Sequence, residues 1–234
     1  MAEAGKQTLK FNNEGRILIK LHGFSVSNYC NVVRLALLEK GVAFEYAVTA
    51  TSQEADFLAK SPMGKVPLLE TEQGFLSETS VILDYIEDTQ AGPAFYPQDP
   101  FERARVKQLV KILELYIELP ARSCYPEAFF GGAVSDEVKA KARETLLKGT
   151  RAVQQLGSFS PFLAGSSVSY ADFMFMYTID LASVVAEKLL DLDLWAVMPE
   201  GSALLQKLNN GEHAMLVNRD RDADLAQFLA AKSA

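Results

Sequence analysis

The chain has 234 residues, 49% of them apolar, which is enough length for one large or two small domains and enough apolar mass for a sizeable core. A formal charge of -7 and a pI of about 5.0 leave no basic surplus to neutralise phosphates, which argues against nucleic acid as a partner. The two cysteines, Cys30 and Cys124, are too few for a disulfide framework and point to a reducing, cytoplasmic setting, and no run of about 18 apolar residues exists to span a membrane.

The opening MAEAGKQTLKFNNEGR lacks the apolar stretch of a secretion signal and reads as a polar extension ahead of the fold. "ILIKL", from Ile17, is a short β-rich run. Asn28 to Lys40 has helical spacing, with Cys30, Val33 and Leu37 along one face and Gly41 as a stop. "VAFEYAV" alternates, placing Val42, Phe44, Tyr46 and Val48 on one side. This strand–helix–strand unit predicts a parallel pair joined by a crossover. A helix near Gln53–Ala59 follows, then two strands, "KVPLLET" and "GFLSE", folded around Glu72-Gln73-Gly74. "SVILDYIED" reads as a helix packing Val81, Ile82, Tyr85 and Ile86. The order β-α-β-α-β-β-α occupies residues 16–88.

Residues 89–100, "TQAGPAFYPQDP", hold three prolines and a glycine and read as a linker. Strand signals then disappear. Phe101–Leu119 is predicted as an amphipathic helix stopped by Pro120. Ser135–Leu156 is another, and Ser169–Leu190 is apolar on most faces, as a central buried helix is. At least one more follows around Ala203–Leu208. Residues 101–234 are therefore expected to form an all-helical domain behind an α/β one.

Four segments occur in order along this pattern. "SNYCNVVRLALLEKG" leads a helix with hydroxyls and a thiol at its start. "SPMGKVPLLE" carries a Val-Pro pair ahead of a strand. "LSETSVILDYI" places Glu78 and Thr79 at a helix start. "LAGSSVSYADFMF" sets Ser169 three residues before Asp172, a capping-box-like signal. Together they resemble the cytosolic glutathione S-transferases over roughly Ile17 to Phe228. Ser61 stands where that family commonly has Asn, and Thr79 where it commonly has Ser. The resemblance implies a thioredoxin-like N-terminal domain and glutathione as co-substrate. It also implies a small hydrophobic electrophile as second substrate, no metal, a cytoplasmic role in detoxification, and a homodimer pairing the α/β half of one chain with the helical half of the other.

The chemistry of glutathione fits these residues. A helix N-terminus offers free N–H groups and partial positive charge, so Thr79 can hold the γ-glutamyl carboxylate while Glu78 either faces its ammonium or only complements the helix dipole. The resemblance implies a cis Val66–Pro67 bond that turns the Val66 backbone toward the cysteinyl backbone, a strand addition by a tripeptide. Lys65 either reaches the glycyl carboxylate or is a solvated surface lysine. The nucleophile is the thiolate, whose parent thiol has a pKa near 8.5. Lowering it by one unit takes about 1.4 kcal/mol, within reach of a hydrogen bond of about 1.5–3 kcal/mol to a charged acceptor.

Counted back from Val32-Val33-Arg34, Ser27 falls where the Ser-using members place their catalytic residue, and it also sits at the expected N-cap. Ser25 and Tyr29 are the other hydroxyls at the junction, and Asn28 replaces a proline common in such loops. Ser27-x-x-Cys30 has redox-motif spacing with the first Cys lost, so Cys30 is read as a small buried hydrophobe, with a thiol-redox role as its rival. Glutathione-dependent reduction, isomerisation or peroxidase chemistry, and non-catalytic binding, remain the alternatives to conjugation. Tyr116, Tyr125, Phe129 and Phe130 are candidates for the wall of the electrophile pocket or for core packing.

Overall fold

The computed structural model describes residues 19–233. The polar extension, and Ile17 and Leu18 of the first strand, lie outside the described residues. β1 (Ile19–Gly23) turns Ile19 and Leu21 to one face and Lys20 and His22 to the other, the two-residue period of a strand. α1 (Asn28–Glu39) crosses over to β2 (Phe44–Val48), which pairs with β1 in parallel, as the strand–helix–strand pattern requires. α2 is a four-residue helix (Ala55–Leu58), shorter than the predicted 53–59. β3 (Leu68–Thr71) and β4 (Gly74–Ser77) form the expected hairpin, and α3 (Thr79–Thr89) closes the unit. The sheet order is β2-β1-β3-β4, with β3 antiparallel to both of its neighbours.

One face of this sheet is apolar. Leu21 and Leu69 meet Val33 and Leu37 of α1 and Ile82 and Ile86 of α3, all fully buried. At the far end of these helices a buried ion pair, Lys40 Nζ to Glu87 at 2.9 Å, joins the end of α1 to α3. The other face is charged. Lys20 lies 3.7 Å from Glu45 and 3.9 Å from Glu70, and His22 Nε2 lies 2.7 Å from Glu70. Two predicted core positions belong to solvent instead. Val81 is 49% exposed because α3 turns Ile82, Leu83 and Ile86 inward, and Val48 is 82% exposed because it ends its strand.

The chain divides between Gly92 and Pro93, inside the proline-rich segment, and the second unit is helical. α4 (Pro100–Ile112) starts from Asp99, whose carboxylate accepts the N–H groups of Phe101 and Glu102 at 3.0 and 2.9 Å. Pro120 does not stop this helix. The backbone widens into a π-helical segment, Leu113–Glu118, in which the Leu119 N–H reaches the Glu114 carbonyl five residues back. It then continues as α5 (Leu119–Arg122), with Pro120 in a first turn that needs no donor there. Glu118, fully buried, accepts from Arg122 Nε at 2.7 Å and from the Tyr125 hydroxyl at 3.4 Å.

α6 (Tyr125–Phe130) is followed by α7 (Asp136–Leu156), capped by Ser135, and by the buried α8 (Tyr170–Leu189). α9 (Leu194–Val197), α10 (Pro199–Asn209) and α11 (Glu212–Ser233) complete the unit. α6, α9 and α11 have no counterpart in the sequence reading. The first two are helices of six and four residues flanked by Pro, Gly or Asp, and α11 carries alternating charges in place of an apolar stripe. Arg221 of α11 reaches Asp180 of α8 at 3.4 Å, opposing the burial that pushes the Asp180 carboxyl up. Among the described residues no helix is long and apolar enough to cross a membrane.

The predicted cap of α8 is a carboxylate-centred knot. Asp172, fully buried, accepts from the Ser169 N–H and hydroxyl, both at 2.8 Å, and from the Leu163 N–H at 2.7 Å. The carboxylate therefore ties loop to helix, while the Ser169 hydroxyl contributes one bond. Asp172→Ala should cost about 3 kcal/mol or more, against about 1 kcal/mol for Ser169→Ala, as measured by urea unfolding. Equal losses would mean that the hydroxyl, not the carboxylate, holds the cap.

Candidate active site

Strand register gathers the predicted residues at one end of the sheet. His22 pairs with Leu68, and Leu68 pairs with Ser77, so β1 leaves, β3 enters and β4 leaves along one line. The segment 24–27 therefore follows β1 at the same end where Lys65, Val66 and Pro67 precede β3 and where Glu78 and Thr79 follow β4. All six candidates share this edge.

The middle segment is held from beneath. Ser61, fully buried, donates its hydroxyl to the Lys65 carbonyl at 2.8 Å and accepts the Lys65 N–H at 3.2 Å. Gly64 bonds back to Ser61 and to Ser52 at a φ of +65°, where an added Cβ would overlap the Ser52 carbonyl and the Gln53 side chain. Lys65 itself is exposed. The Val66–Pro67 bond is cis, as the resemblance implies. Val66 is half-buried and lies outside the β-ladder, which begins at Leu68.

At the third segment Glu78 is exposed and has a φ of +70°, a backbone region rarely taken by residues other than glycine. Its side chain makes no cap bond to α3, so the carboxylate is not committed to the helix end it precedes. Thr79 is the first residue of α3 and is buried at 4% exposure. An 11-residue helix thus presents its N-terminal amides and a threonine hydroxyl beside an acidic group.

At the first segment Ser27 caps α1. Its Oγ accepts the Cys30 N–H at 3.4 Å, a long and weak bond. Ser27 is half-buried, whereas Ser25 is 6% exposed. Cys30 has no exposed surface, and an added Cβ on Gly23 would overlap its sulfur. Burial pushes the Cys30 thiol up to about 11, and hydrogen bonds with the Ser27 side chain and the Phe24 backbone offset only part of that rise. Cys30 therefore stays a thiol at neutral pH, as packing rather than nucleophile. Both cysteines are free.

The four aromatic candidates divide within the helical unit. Tyr125 and Phe129 pack edge to face at 5.1 Å, and the Tyr125 hydroxyl is committed to Glu118; burial and the Glu118 charge push that phenol up. Tyr116 and Phe130 are 48% and 52% exposed. Among the described residues no group of His, Cys, Asp and Glu is arranged to hold a metal ion.

Comparison with known proteins identifies the family. Residues 21–94 match the family model described as glutathione S-transferase, N-terminal domain. A glutathione S-transferase of Pseudomonas putida is 51% identical over 212 residues, covering 91% of this chain and 96% of the relative. The chain belongs to the glutathione S-transferase family. Mouse glutathione S-transferase omega-2 is 29% identical over 67% of this chain and 62% of its own length. Among solved structures, glutathione transferase F2 from Populus trichocarpa has a TM-score of 0.73 at 23% identity, covering 88% of this chain and 99% of that one. A glutathione S-transferase from Pseudomonas fluorescens has a TM-score of 0.70 at 25% identity, covering 84% and 96%.

Within this glutathione S-transferase, Ser61 was placed by the sequence only as a substitute for the family's Asn, without its role of holding the Lys65 backbone. Its spacing of four residues before Lys65 is the only trace of its double bond to that backbone. Cys30, by contrast, gives a direct test. It should resist alkylation by iodoacetamide in the native protein at pH 8 and become reactive only on unfolding. Cys30→Ala should cost about 1–2 kcal/mol through a small cavity. Rapid native alkylation would overturn its packing role.

Proposed function

We propose that this glutathione transferase lays the tripeptide across the end of the sheet and that Ser27 stabilises its sulfur as the thiolate. The observation that carries this reading is the shared register of β1, β3 and β4, which puts a hydroxyl, a free strand edge and a helix N-terminus in one row. In this reading the γ-glutamyl carboxylate meets the Thr79 hydroxyl and the first amides of α3, and Glu78 faces the ammonium. The Val66 backbone pairs with the cysteinyl peptide group, and Lys65 reaches the glycyl carboxylate.

The sulfur then lies near the start of α1, where the helix dipole and the Ser27 hydroxyl both favour negative charge. Hydrogen bonding to the charged form lowers the thiol pKa, which raises the thiolate fraction at neutral pH, and the thiolate attacks the electrophile. A small hydrophobic electrophile, a homodimeric assembly and a cytoplasmic location belong to the same proposal. The burial and raised pKa of Cys30 favour conjugation over thiol-redox chemistry on this fold.

Ser27→Ala should raise the apparent pKa of bound glutathione by one unit or more and slow conjugation roughly tenfold at neutral pH. The deficit should close above the pKa of the free thiol, where ionisation needs no help; a loss independent of pH would remove Ser27 from this role. Thr79→Ala should weaken glutathione binding in calorimetry by about 1–2 kcal/mol with the fold intact. Unchanged affinity would place the carboxylate elsewhere. Light scattering at working concentration should give the mass of two chains, and a monomer would refute the dimer.

A further inference from the structure

Most of the buried surface of α1 is apolar, with Val32, Val33, Leu35, Ala36 and Leu37 all inside. Asn31 breaks that pattern with no exposed surface at all. Its side-chain Nδ2 donates to the Ser25 carbonyl at 2.8 Å, and its backbone N–H donates to the Ser27 carbonyl at 3.0 Å. Between these anchors the Ser27 N–H donates to the Phe24 carbonyl at 3.0 Å, closing a turn. One residue thus grips the carbonyls on either side of Val26. The other half of the same amide, Oδ1, is buried with no donor among the described residues.

That orphaned acceptor is informative. A residue placed here for packing alone would be a Leu or a Val, like its neighbours, and would leave no buried oxygen without a partner. Asp would set an acceptor against the Ser25 carbonyl. Only a side chain with an N–H of this length bonds that carbonyl from the first turn of α1. The Ser27 hydroxyl, meanwhile, is tied to its own helix through Cys30 alone: it accepts the Cys30 N–H over 3.4 Å, too long to fix its direction, and meets the Cys30 side chain. Its position follows from the backbone of the turn that carries it.

The geometry points to Asn31 as a positioning residue for the transferase reaction: it clamps the turn 24–27 so that the Ser27 hydroxyl is aimed at the glutathione sulfur. This rests on the reading of Ser27 as donor to the sulfur and adds the group that fixes its aim. Deviations from local sequence rules concentrate at functional sites, and a half-satisfied buried amide on an apolar helix face is such a deviation.

The test uses the full chain and reads the pH titration of bound glutathione from its thiolate ultraviolet absorbance, so no electrophile is needed. Asn31→Leu removes both the donor and the orphaned acceptor, at the cost of added volume. It should raise the apparent pKa of bound glutathione by at least half the shift that Ser27→Ala produces. The double variant should shift no further than Ser27→Ala alone, because both act through one hydroxyl. Glutathione affinity at a pH below the thiol pKa should not change.

A melting temperature altered in Asn31→Leu with the pKa unmoved would make Asn31 a merely structural residue and overturn the inference. Additive shifts would overturn it as well. If Asn31→Leu does not fold, Asn31→Ala, which removes the same donor and acceptor without adding volume, carries the same expectation. Should Ser27→Ala itself leave the titration unmoved, the reading of Ser27 fails, an outcome distinct from Asn31 alone being silent.

Discussion

The candidate site depends on the antiparallel register of β3 with its two neighbours. Because His22, Leu68 and Ser77 stand in one row, three chain segments far apart in sequence leave or enter the sheet at one end. Side chains alternate along a strand, so a slip of one residue would turn Leu69 away from the cluster beneath α1 and α3 and Leu68 toward it. The apolar cluster of Leu21, Leu69, Val33, Leu37, Ile82 and Ile86 resists that slip. Core packing thus sets the position of polar groups that take no part in it, with Ser61 holding the remaining segment by two bonds to Lys65.

The opposite face of the same sheet is built differently. Lys20, Glu45, Glu70 and His22 form a charged layer where a second apolar face might be expected, and Thr49, just past β2, joins it through His22 Nδ1 at 3.2 Å. Such a layer contributes little net stability per pair but favours this register, because a slipped strand would part Lys20 from Glu45 or Glu70. The apolar face supplies most of the stability, and the charged face adds specificity of register.

How far the sequence spoke for the fold follows from which forces act locally. The β-α-β-α-β-β-α order was legible because strand and helix periods differ and Gly, Pro and Asn punctuate them. Ser27 as a cap and Ser169 with Asp172 were legible because capping depends on residues three apart. Val81 was not: periodicity marks an apolar stripe but not its edges, and the helix rotates so that Leu83 takes the inner place. Pro120 was not either, since a π-helical turn shifts the hydrogen bonds by one residue and removes the need for a donor there. Gly149 of α7 packs against that segment so closely that an added Cβ would overlap the Tyr116 carbonyl, so tertiary contact supports the local irregularity. The roles of Asn31 and Ser61 were silent in the sequence because their partners are backbone groups, which every residue has.

The start of α1 carries an N-cap made with a weak bond. An N-cap contributes about 1 kcal/mol when its bond is good. Here the Ser27 bond is long, so the helix forgoes part of that contribution. It can do so because α1 buries Val32, Val33, Leu35 and Leu37, each worth about 1.5–3 kcal/mol on full burial. Stability that comes from the far side of the helix frees its first turn from supplying any. Under the proposed function, a half-buried hydroxyl in a fixed turn, held only by a long bond from the Cys30 N–H and by the Cys30 thiol, can turn its hydrogen to a ligand. A well-made cap would have spent that capacity on the protein, and a fully exposed serine would have spent it on water.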